Sequence, residues 1–401
     1  MDNENELGEK RKTKTWVDSL GFQFDPFIHL NAADDSHLGE YVVDLKKYVG
    51  AWENYSSLIF APAGGGKTTL RIYAYRTLWV GRDGLHPFPI QYYLPLITDN
   101  VNWAETIESD LTQAAANALL LSLSFRPEHL KHITVAVQEE IVAFLSASIG
   151  RNILQHYLVA LEKELNPMIL AEQIDRAYAL PDLPTPASVK VFCSALFHSL
   201  SKKSVRENTP DPEPIDSLCR LIIQKLQFNS IHVLIDGIDG FADSVNDPQK
   251  ASEQVNLLLK KTEKWARKGI YIKIFLPKEM EKFIETNLSK SHIVWAPDSL
   301  AKVIEQRIMI ASGGRFGSLN GVSGPGLRNE HIEKELAQNV IPLPREIIVA
   351  VKLLFEAYER RSKGMGKIEP EDLDTAFQNY RKDLKRRQIN LSDFVDTAYS
   401  A

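Results

Sequence analysis

The sequence predicts an α/β fold in which a parallel sheet forms the middle of three layers. A short apolar run at residues 58–60 is followed by three glycines and then by helical spacing up to residue 79. A second apolar strand follows at 90–97, and this strand–helix–strand order implies parallel strands joined by a right-handed crossover. A third strand at 231–241 is apolar and carries aspartates near its end, as the carboxyl edge of a ligand-binding sheet often does.

The remaining segments divide the chain into four predicted regions. The first 15 residues are polar and predict a disordered tail. Residues 16–50 form an N-terminal arm of mixed aromatic and acidic composition, with a short helix predicted at 44–52. An α/β core spans 51–296, with strands also predicted at 269–277 and 292–296. The predicted helical parts are an insertion at about 103–227 and a C-terminal lid at 297–401, with lid helices at 298–311, 344–361 and 370–387.

The amino-acid composition is that of an ordinary soluble globular protein. Hydrophobic residues make up 44% of the 401 residues and charged residues 25%, while the formal net charge of -5 gives the whole chain no attraction to nucleic acid or anionic lipid. Cys193 and Cys219 lie far from any partner motif, which argues against a structural zinc site or a disulfide framework. With no apolar run of membrane-spanning length and no signal peptide, we expect a cytoplasmic protein without a membrane partner.

The segment between the first strand and the first helix predicts a phosphate-binding loop. It matches G-x-x-x-x-G-K-[ST] except that Ala61 replaces the first glycine. This position starts the loop and is farther from the phosphates than Gly66, so the change is tolerable. In such a loop, backbone N–H groups and a helix N-terminus hold phosphate, a lysine reaches the β- and γ-phosphates, and a hydroxyl binds Mg²⁺. This predicts a P-loop NTPase core that binds ATP and Mg²⁺, with Lys67 as the lysine and Thr68 as a metal ligand. The predicted nucleotide-binding residues are Ala63, Gly64, Gly65, Gly66, Lys67, Thr68 and Thr69.

Two aspartates are the predicted acidic partners of this loop. Asp236 ends an apolar strand, where a P-loop site needs a carboxylate for Mg²⁺. Gly237 occupies the next position, where many hydrolysing P-loop enzymes have a glutamate that orients water. Asp239 is the nearest acid that is able to serve as the catalytic base.

Basic side chains elsewhere supply candidate contacts to phosphate. Arg345 follows a helix-starting proline in IPLPREII, where a cation opposes the helix dipole. This local cost favours an anionic partner, so we predict that Arg345 senses the γ-phosphate, with an ordinary surface arginine as the alternative. Lys278, at the exit of the 269–277 strand, is a better candidate than Lys273 within it, although solvated lysines are the more frequent case. Arg307 is expected to be an exposed helical arginine.

Two further sets of residues have both a functional and an ordinary interpretation. Trp16, Phe22 and Phe27 include a candidate for stacking on adenine, although packing of the arm is more frequent. A basic set near the C-terminus offers contacts to nucleic acid, although a solvated helix end is the more frequent case. This set consists of Arg381, Lys382, Lys385, Arg386 and Arg387.

The quoted motifs give the chain a resemblance to bacterial AAA-type and STAND-type ATPases, and within these to origin-recognition-complex-like ATP-binding proteins. The resemblance rests on GFQFDPF and NAADD ahead of SLIFAPAGGGKTTLR, on LIDGID, on IYIKIFLPKEM and on LPREII. It implies Lys67 and Thr68 at the phosphates and metal, Asp236 at the metal, Asp239 as a second acid and Arg345 as a nucleotide sensor. The missing glutamate after Asp236 departs from standard AAA+ enzymes and implies slow turnover.

These observations predict a magnesium-dependent ATP-binding protein that hydrolyses ATP slowly and acts as a nucleotide-driven switch. The resemblance implies a role in bacterial signalling or phage defence, together with a protein partner or a second copy of the chain. Two alternatives remain open at this point. One is a nucleotide-binding scaffold without turnover, and the other is an origin-like ATPase that binds DNA through its C-terminal basic helix.

Overall fold

The computed structural model describes residues 15–41, 43–80, 87–93, 103–125, 133–164, 194–196, 198, 214–238, 247–327, 331–363 and 365–389. By its contacts the chain divides into two compact units. The helical unit comprises Met1–Leu45, Gly64–Gly66 and Val294–Ala401, and the sheet unit comprises Lys46–Ala63 and Lys67–Ile293.

In the residues that the structure describes, the sheet unit contains five parallel strands in the order β2-β3-β4-β1-β5, and so confirms the prediction of an α/β fold with a parallel sheet. Their bounds are Ser57–Ala61 for β1, Pro87–Tyr93 for β2, Ser230–Asp236 for β3, Ile270–Pro277 for β4 and Ser289–His292 for β5. The last strand lies earlier than the predicted 292–296, because its four pairing residues are partly exposed, polar or basic side chains that no apolar pattern marks.

The helices of the sheet unit cover both faces of the sheet. They are α2 (Lys67–Val80), α3 (Trp103–Phe125), α4 (Val135–Ile149), α5 (Arg151–Glu164), α6 (Pro214–Cys219), which continues as a π-helical turn (Arg220–Lys225), and α7 (Pro248–Ala266). Between β2 and β3, the helices α3 to α6 occupy the stretch predicted as a helical insertion.

Alternate strand residues show which helices lie on which face. Leu58, Val233 and Ile272 belong to one buried apolar cluster with side chains of α3 and α7. On the opposite face, Arg71 of α2 contacts Asp236 of β3. The arrangement is compatible with a three-layer α/β fold, because a strand directs successive side chains to opposite faces.

The helical unit contains the remaining helices. They are α1 (Trp16–Leu20), α8 (Pro297–Ala311), α9 (Ile332–Gln338), α10 (Pro344–Ser362) and α11 (Pro370–Arg386). The three predicted lid helices therefore exist with bounds within one residue of expectation. Proline occupies the first turn of each, where its missing N–H costs no hydrogen bond.

The helix predicted at 44–52 is wrong: the chain forms two short 3₁₀ turns there, Leu45–Lys47 and Val49–Ala51. Asp44, just ahead of the first turn, has a φ of 55°, and Gly50 interrupts the segment, so regular α-helical bonding does not develop. Within the described ranges, no helix has the length and apolarity that a membrane span requires.

Candidate phosphate-binding site

The loop between β1 and α2 has a backbone that only glycine accepts easily at two positions. Gly64 and Gly66 have φ values of 77° and 95°, in the left-handed region. A Cβ at Gly64 would also lie 2.9 Å from Cβ of Arg345 in the helical unit. Two of the three glycines predicted from the motif, Gly64 and Gly66, are therefore required by the conformation of the loop itself.

Lys67 is the first residue of α2 and is buried. Its Nζ donates to the carbonyl oxygens of Ala61, at 2.8 Å, and Pro62, at 3.0 Å. The ammonium thus lies against the start of the loop that it is predicted to serve. In the same first turn, Thr68 and Thr69 are half-buried, while Ala63 in the loop is exposed.

Asp236 is the last residue of β3, as predicted, and both of its carboxylate oxygens have protein donors. Oδ1 accepts from the N–H of Gly237 at 2.8 Å, and Oδ2 accepts from Nε of Arg71 at 3.1 Å. The side chains of the Arg71–Asp236 pair are 0% and 7% exposed, so water screens the pair very little.

Sequence reasoning missed Arg71. It lies four residues after Lys67, and residues with this spacing lie on the same side of a helix. A helix that starts directly after a buried strand and a short glycine loop, and packs on the sheet, leaves that side little access to water. An arginine there signals a buried acidic partner, and the strand-ending Asp236 is that acid.

Asp239, the predicted base, lies outside the described part of the chain. The residue between the two acids is described. Gly237 has a φ of 96°, a conformation that glutamate adopts only with strain. The local backbone therefore explains why glycine, and not glutamate, follows Asp236.

In the helical unit, Trp295 and the start of α10 contact the loop glycines. The indole Nε1 of Trp295 donates to the carbonyl oxygen of Gly65 at 2.9 Å, and the backbone N–H of Arg345 lies 3.4 Å from the carbonyl oxygen of Gly64. The side chain of Arg345 is exposed, while Trp295 is buried. Sequence reasoning singled out Arg345 but gave no role to Trp295.

Glu346, next to Arg345, ties the first turn of α10 to the end of α11. Its two carboxylate oxygens accept from the guanidinium of Arg387 at 2.9 and 2.7 Å, and one of them also accepts from the hydroxyl of Tyr380 at 2.9 Å. Arg387 is therefore engaged in a bidentate ion pair.

Arg386 pairs with Asp383 at 2.7 Å. Of the predicted basic set, three exposed side chains lie along the same helix and form no ion pair with a described carboxylate: Arg381, Lys382 and Lys385.

Two basic residues have environments that differ from expectation. Lys273 is fully buried and pairs in register with Ser57 at the start of β1, so it lies about 13 Å along the strand from the carboxyl edge that Lys278 adjoins. Its Nζ donates to the carbonyl oxygens of Glu53 and Tyr55. The suggestion that Lys273 reaches phosphate at this edge is therefore wrong, while Lys278 is exposed beyond the strand.

Arg307 was expected to be exposed, and this is wrong. It is buried in the helical unit, where it forms an ion pair with Asp35 at 3.2 Å and lies 4.3 Å from the ring of Tyr41. It also donates to the carbonyl oxygen of Pro26. Arg307 thus fastens the N-terminal arm to α8.

The aromatic residues of the arm pack within the helical unit. Trp16 stacks on Phe355 of α10 with ring centroids 3.9 Å apart, and Phe22 and Phe27 lie within 6.1 Å of the same ring. All three are buried. Their contacts agree with the packing interpretation, which leaves no ring face exposed for a base.

Comparison with known proteins finds no matching family model, no matching curated protein and no matching solved structure. Among the described residues, no group of three or more histidine, cysteine, aspartate or glutamate side chains is arranged to hold a metal ion. A magnesium ion that arrives with a nucleotide needs only one or two protein carboxylates, since the phosphates supply other ligands.

Proposed function

We propose that this chain binds ATP together with Mg²⁺ at the loop that starts after β1, and that the nucleotide drives a switch between two conformations. The observation that carries the proposal is the loop itself. Gly64 and Gly66 adopt glycine-specific conformations between a buried parallel strand and a helix whose first residue is Lys67. This combination is typical of phosphate binding.

The residues present suit a triphosphate. The first turn of α2 contains no acidic side chain, so none of its own residues neutralises the positive end of this 14-residue helix. Lys67 lies in that turn, and its two carbonyl partners are the last residue of β1 and the first residue of the loop, so rotation of the side chain would exchange these two partners for phosphate oxygens. Thr68, half-buried beside it, provides a hydroxyl for the metal.

The residues also suit magnesium, with Thr68 and Asp236 as the protein groups. Asp236 ends a strand at the carboxyl edge of the sheet, which is where ligands bind in open parallel sheets. When bound, Mg²⁺ neutralises charge on the β- and γ-phosphates. Arg71 and the Gly237 N–H orient the Asp236 carboxylate, and each oxygen keeps a second lone pair for a metal-bound water.

Turnover is proposed to be slow. Gly237 occupies the position where a water-orienting glutamate is common, and its φ of 96° disfavours that side chain. Asp239 stays the predicted base. The same observation favours the alternative of a scaffold that binds ATP without hydrolysis, and single-turnover hydrolysis at saturating ATP decides between the two.

The central experiment is a calorimetric titration of Lys67→Ala with ATP and Mg²⁺. We expect at least a tenfold loss of affinity, about 1.4 kcal/mol, because the only ammonium in the loop is removed. Lys290→Ala, which removes an exposed lysine from β5, is the matched control and should bind as the wild type does. An unchanged affinity of folded Lys67→Ala contradicts the proposal.

A second expected result concerns Arg345. Arg345→Ala should reduce the preference for ATP over ADP while leaving ADP affinity nearly intact, because this exposed cation begins α10 beside Gly64. Competition titrations with both nucleotides measure the ratio, with Arg381→Ala as a control on α11. Equal losses for ATP and ADP would show that Arg345 does not sense the γ-phosphate.

A conformational switch acts through a molecule that binds one of its two states. We propose that this molecule is a protein partner or a second copy of the chain, as in the AAA and STAND ATPases that the sequence resembles. Binding of DNA through α11 is the competing proposal. It predicts a DNA affinity that falls steeply with salt, and loss of that affinity when Arg381, Lys382 and Lys385 are replaced together.

A further inference from the structure

Trp295 lies between β5 and α8 and is 6% exposed. An indole N–H donates only, so a buried tryptophan needs an acceptor, and here the acceptor is the backbone carbonyl of Gly65 at 2.9 Å. The six-membered ring of the same indole lies 3.4 Å from the place where a Cβ of Gly66 would be. One side chain therefore contacts two consecutive loop glycines, by a hydrogen bond and by packing.

We propose that Trp295 is a positioning residue for phosphate: by holding the Gly65 carbonyl, it aims the N–H of Gly66 at the bound nucleotide. This inference rests on the proposed function. The physical reason is the planar trans peptide, in which the carbonyl of one residue and the N–H of the next point in opposite directions. No peptide bond in the described residues is cis. Turning the Gly65 oxygen toward Trp295 therefore turns the Gly66 N–H away from it.

The neighbouring peptide is held in a related way. The Gly64 oxygen faces the backbone N–H of Arg345 at 3.4 Å, and so the N–H of Gly65 points to the opposite side of that peptide. Within the described ranges, no protein acceptor bonds the Gly66 N–H. The two donors of the helical unit thus set the direction of consecutive loop amides, which is the arrangement that an anion-binding nest requires.

Packing explains why this position needs the whole indole. Gly66, at a φ of 95°, is free to rotate unless a neighbour limits it, because it has no Cβ. The Trp295 ring fills the space on that side of the glycine. Loss of the N–H alone leaves this packing largely in place but frees the Gly65–Gly66 peptide to turn.

Trp295→Phe tests the proposal, because phenylalanine keeps an aromatic ring and lacks the N–H. We expect ATP, ADP and inorganic pyrophosphate each to bind about tenfold more weakly, since a hydrogen bond to a charged group is misaligned. The midpoint of thermal unfolding should fall no further than in Trp16→Phe. That control removes a buried indole N–H elsewhere in the helical unit and should keep wild-type affinity for all three ligands.

The outcomes separate the inference from its premise. If the wild type does not bind ATP, the proposed function fails. If the wild type binds ATP, and Trp295→Phe binds all three ligands as tightly as Trp16→Phe does, Trp295 is not a positioning residue. Should the phenylalanine variant not fold, Trp295→Met carries the same test, because methionine fills part of the space and has no hydrogen-bond donor. A tenfold loss in folded Trp295→Met supports the proposal and wild-type affinity overturns it.

Discussion

Replacement of Arg71 by methionine is expected to lower the free energy of unfolding by about 3–5 kcal/mol. Arg71 and Asp236 form an ion pair in the sheet unit with side chains 0% and 7% exposed. Methionine fills much of the space but leaves the carboxylate of Asp236 buried, with the Gly237 N–H as its remaining donor among the described residues. A buried charge that loses its partner is far more costly than the pair is stabilising. Urea denaturation followed by circular dichroism measures the change.

Two further variants identify the cause of this loss. Arg71→Met combined with Asp236→Asn should recover most of the stability. Neither member of the former ion pair is then charged, and the asparagine oxygen still accepts from the Gly237 N–H. Arg360→Met removes an arginine from an exposed helical pair with Glu356 and should change stability by no more than about 0.5 kcal/mol. If Arg71→Met is as mild as Arg360→Met, the buried-pair account is wrong.

The parts of the fold that follow from local sequence were predictable. The strand, glycine loop and helix around Lys67 are encoded by a change of hydrophobic period and by residues with special backbone freedom. The bounds of α8, α10 and α11 follow from prolines that start helices and from apolar spacing along them. In these cases the determining residues lie within a few positions of the element that they determine.

The contacts that complete the candidate site join residues far apart in the chain. Arg71 and Asp236 are 165 positions apart, and Trp295 and Gly65 are 230 apart. Periodicity describes neighbours along the chain and carries no signal for such pairs. Arg307 shows the same limit, because its partner Pro26 is 281 positions away and a single arginine on a helix usually faces water.

The predicted position of strand β5 was wrong for a different reason. Its four residues, Ser289–His292, are paired to β1 although none of them is apolar. An edge strand that exposes much of its side-chain surface needs no hydrophobic alternation, and polar or charged residues there discourage pairing with other molecules. Because the prediction relied on the apolar residues that follow, it placed the start of the strand three positions too late.

Lys273→Met is expected to remove a pH dependence of stability that the wild type shows above neutral pH. Lys273 is fully buried in β4, and burial lowers its pKa from 10.5 to about 7, against the opposing effect of the nearby carboxylate of Glu53. His232 nearby has its pKa lowered by burial and by Lys273 to about 3, so it stays neutral in this range. In the folded protein Lys273 therefore titrates near neutral pH, while in the unfolded chain it titrates near 10.5.

The direction follows from proton binding. Between pH 7 and 10.5 the unfolded chain carries a proton on Lys273 that the folded chain has largely lost, so raising the pH favours the folded state. The slope approaches about 1.4 kcal/mol per pH unit, which gives up to roughly 3 kcal/mol between pH 7 and 9. Below pH 7 Lys273 is protonated in both the folded and the unfolded state. Its contribution to the free energy of unfolding is then constant at its least favourable value.

Urea denaturation of wild type and Lys273→Met at pH 6.5, 7.5, 8.5 and 9 measures the effect as a difference, which cancels the titration of groups that do not interact with Lys273. The stability of the variant relative to the wild type should be highest at pH 6.5 and fall as the pH rises. Methionine leaves the carbonyls of Glu53 and Tyr55 without their lysine donor, which lowers the stability of the variant equally at each pH. Lys290→Met, an exposed substitution in β5, should show a constant difference. A constant difference for Lys273→Met as well would mean that the buried lysine keeps its ordinary pKa in the folded protein.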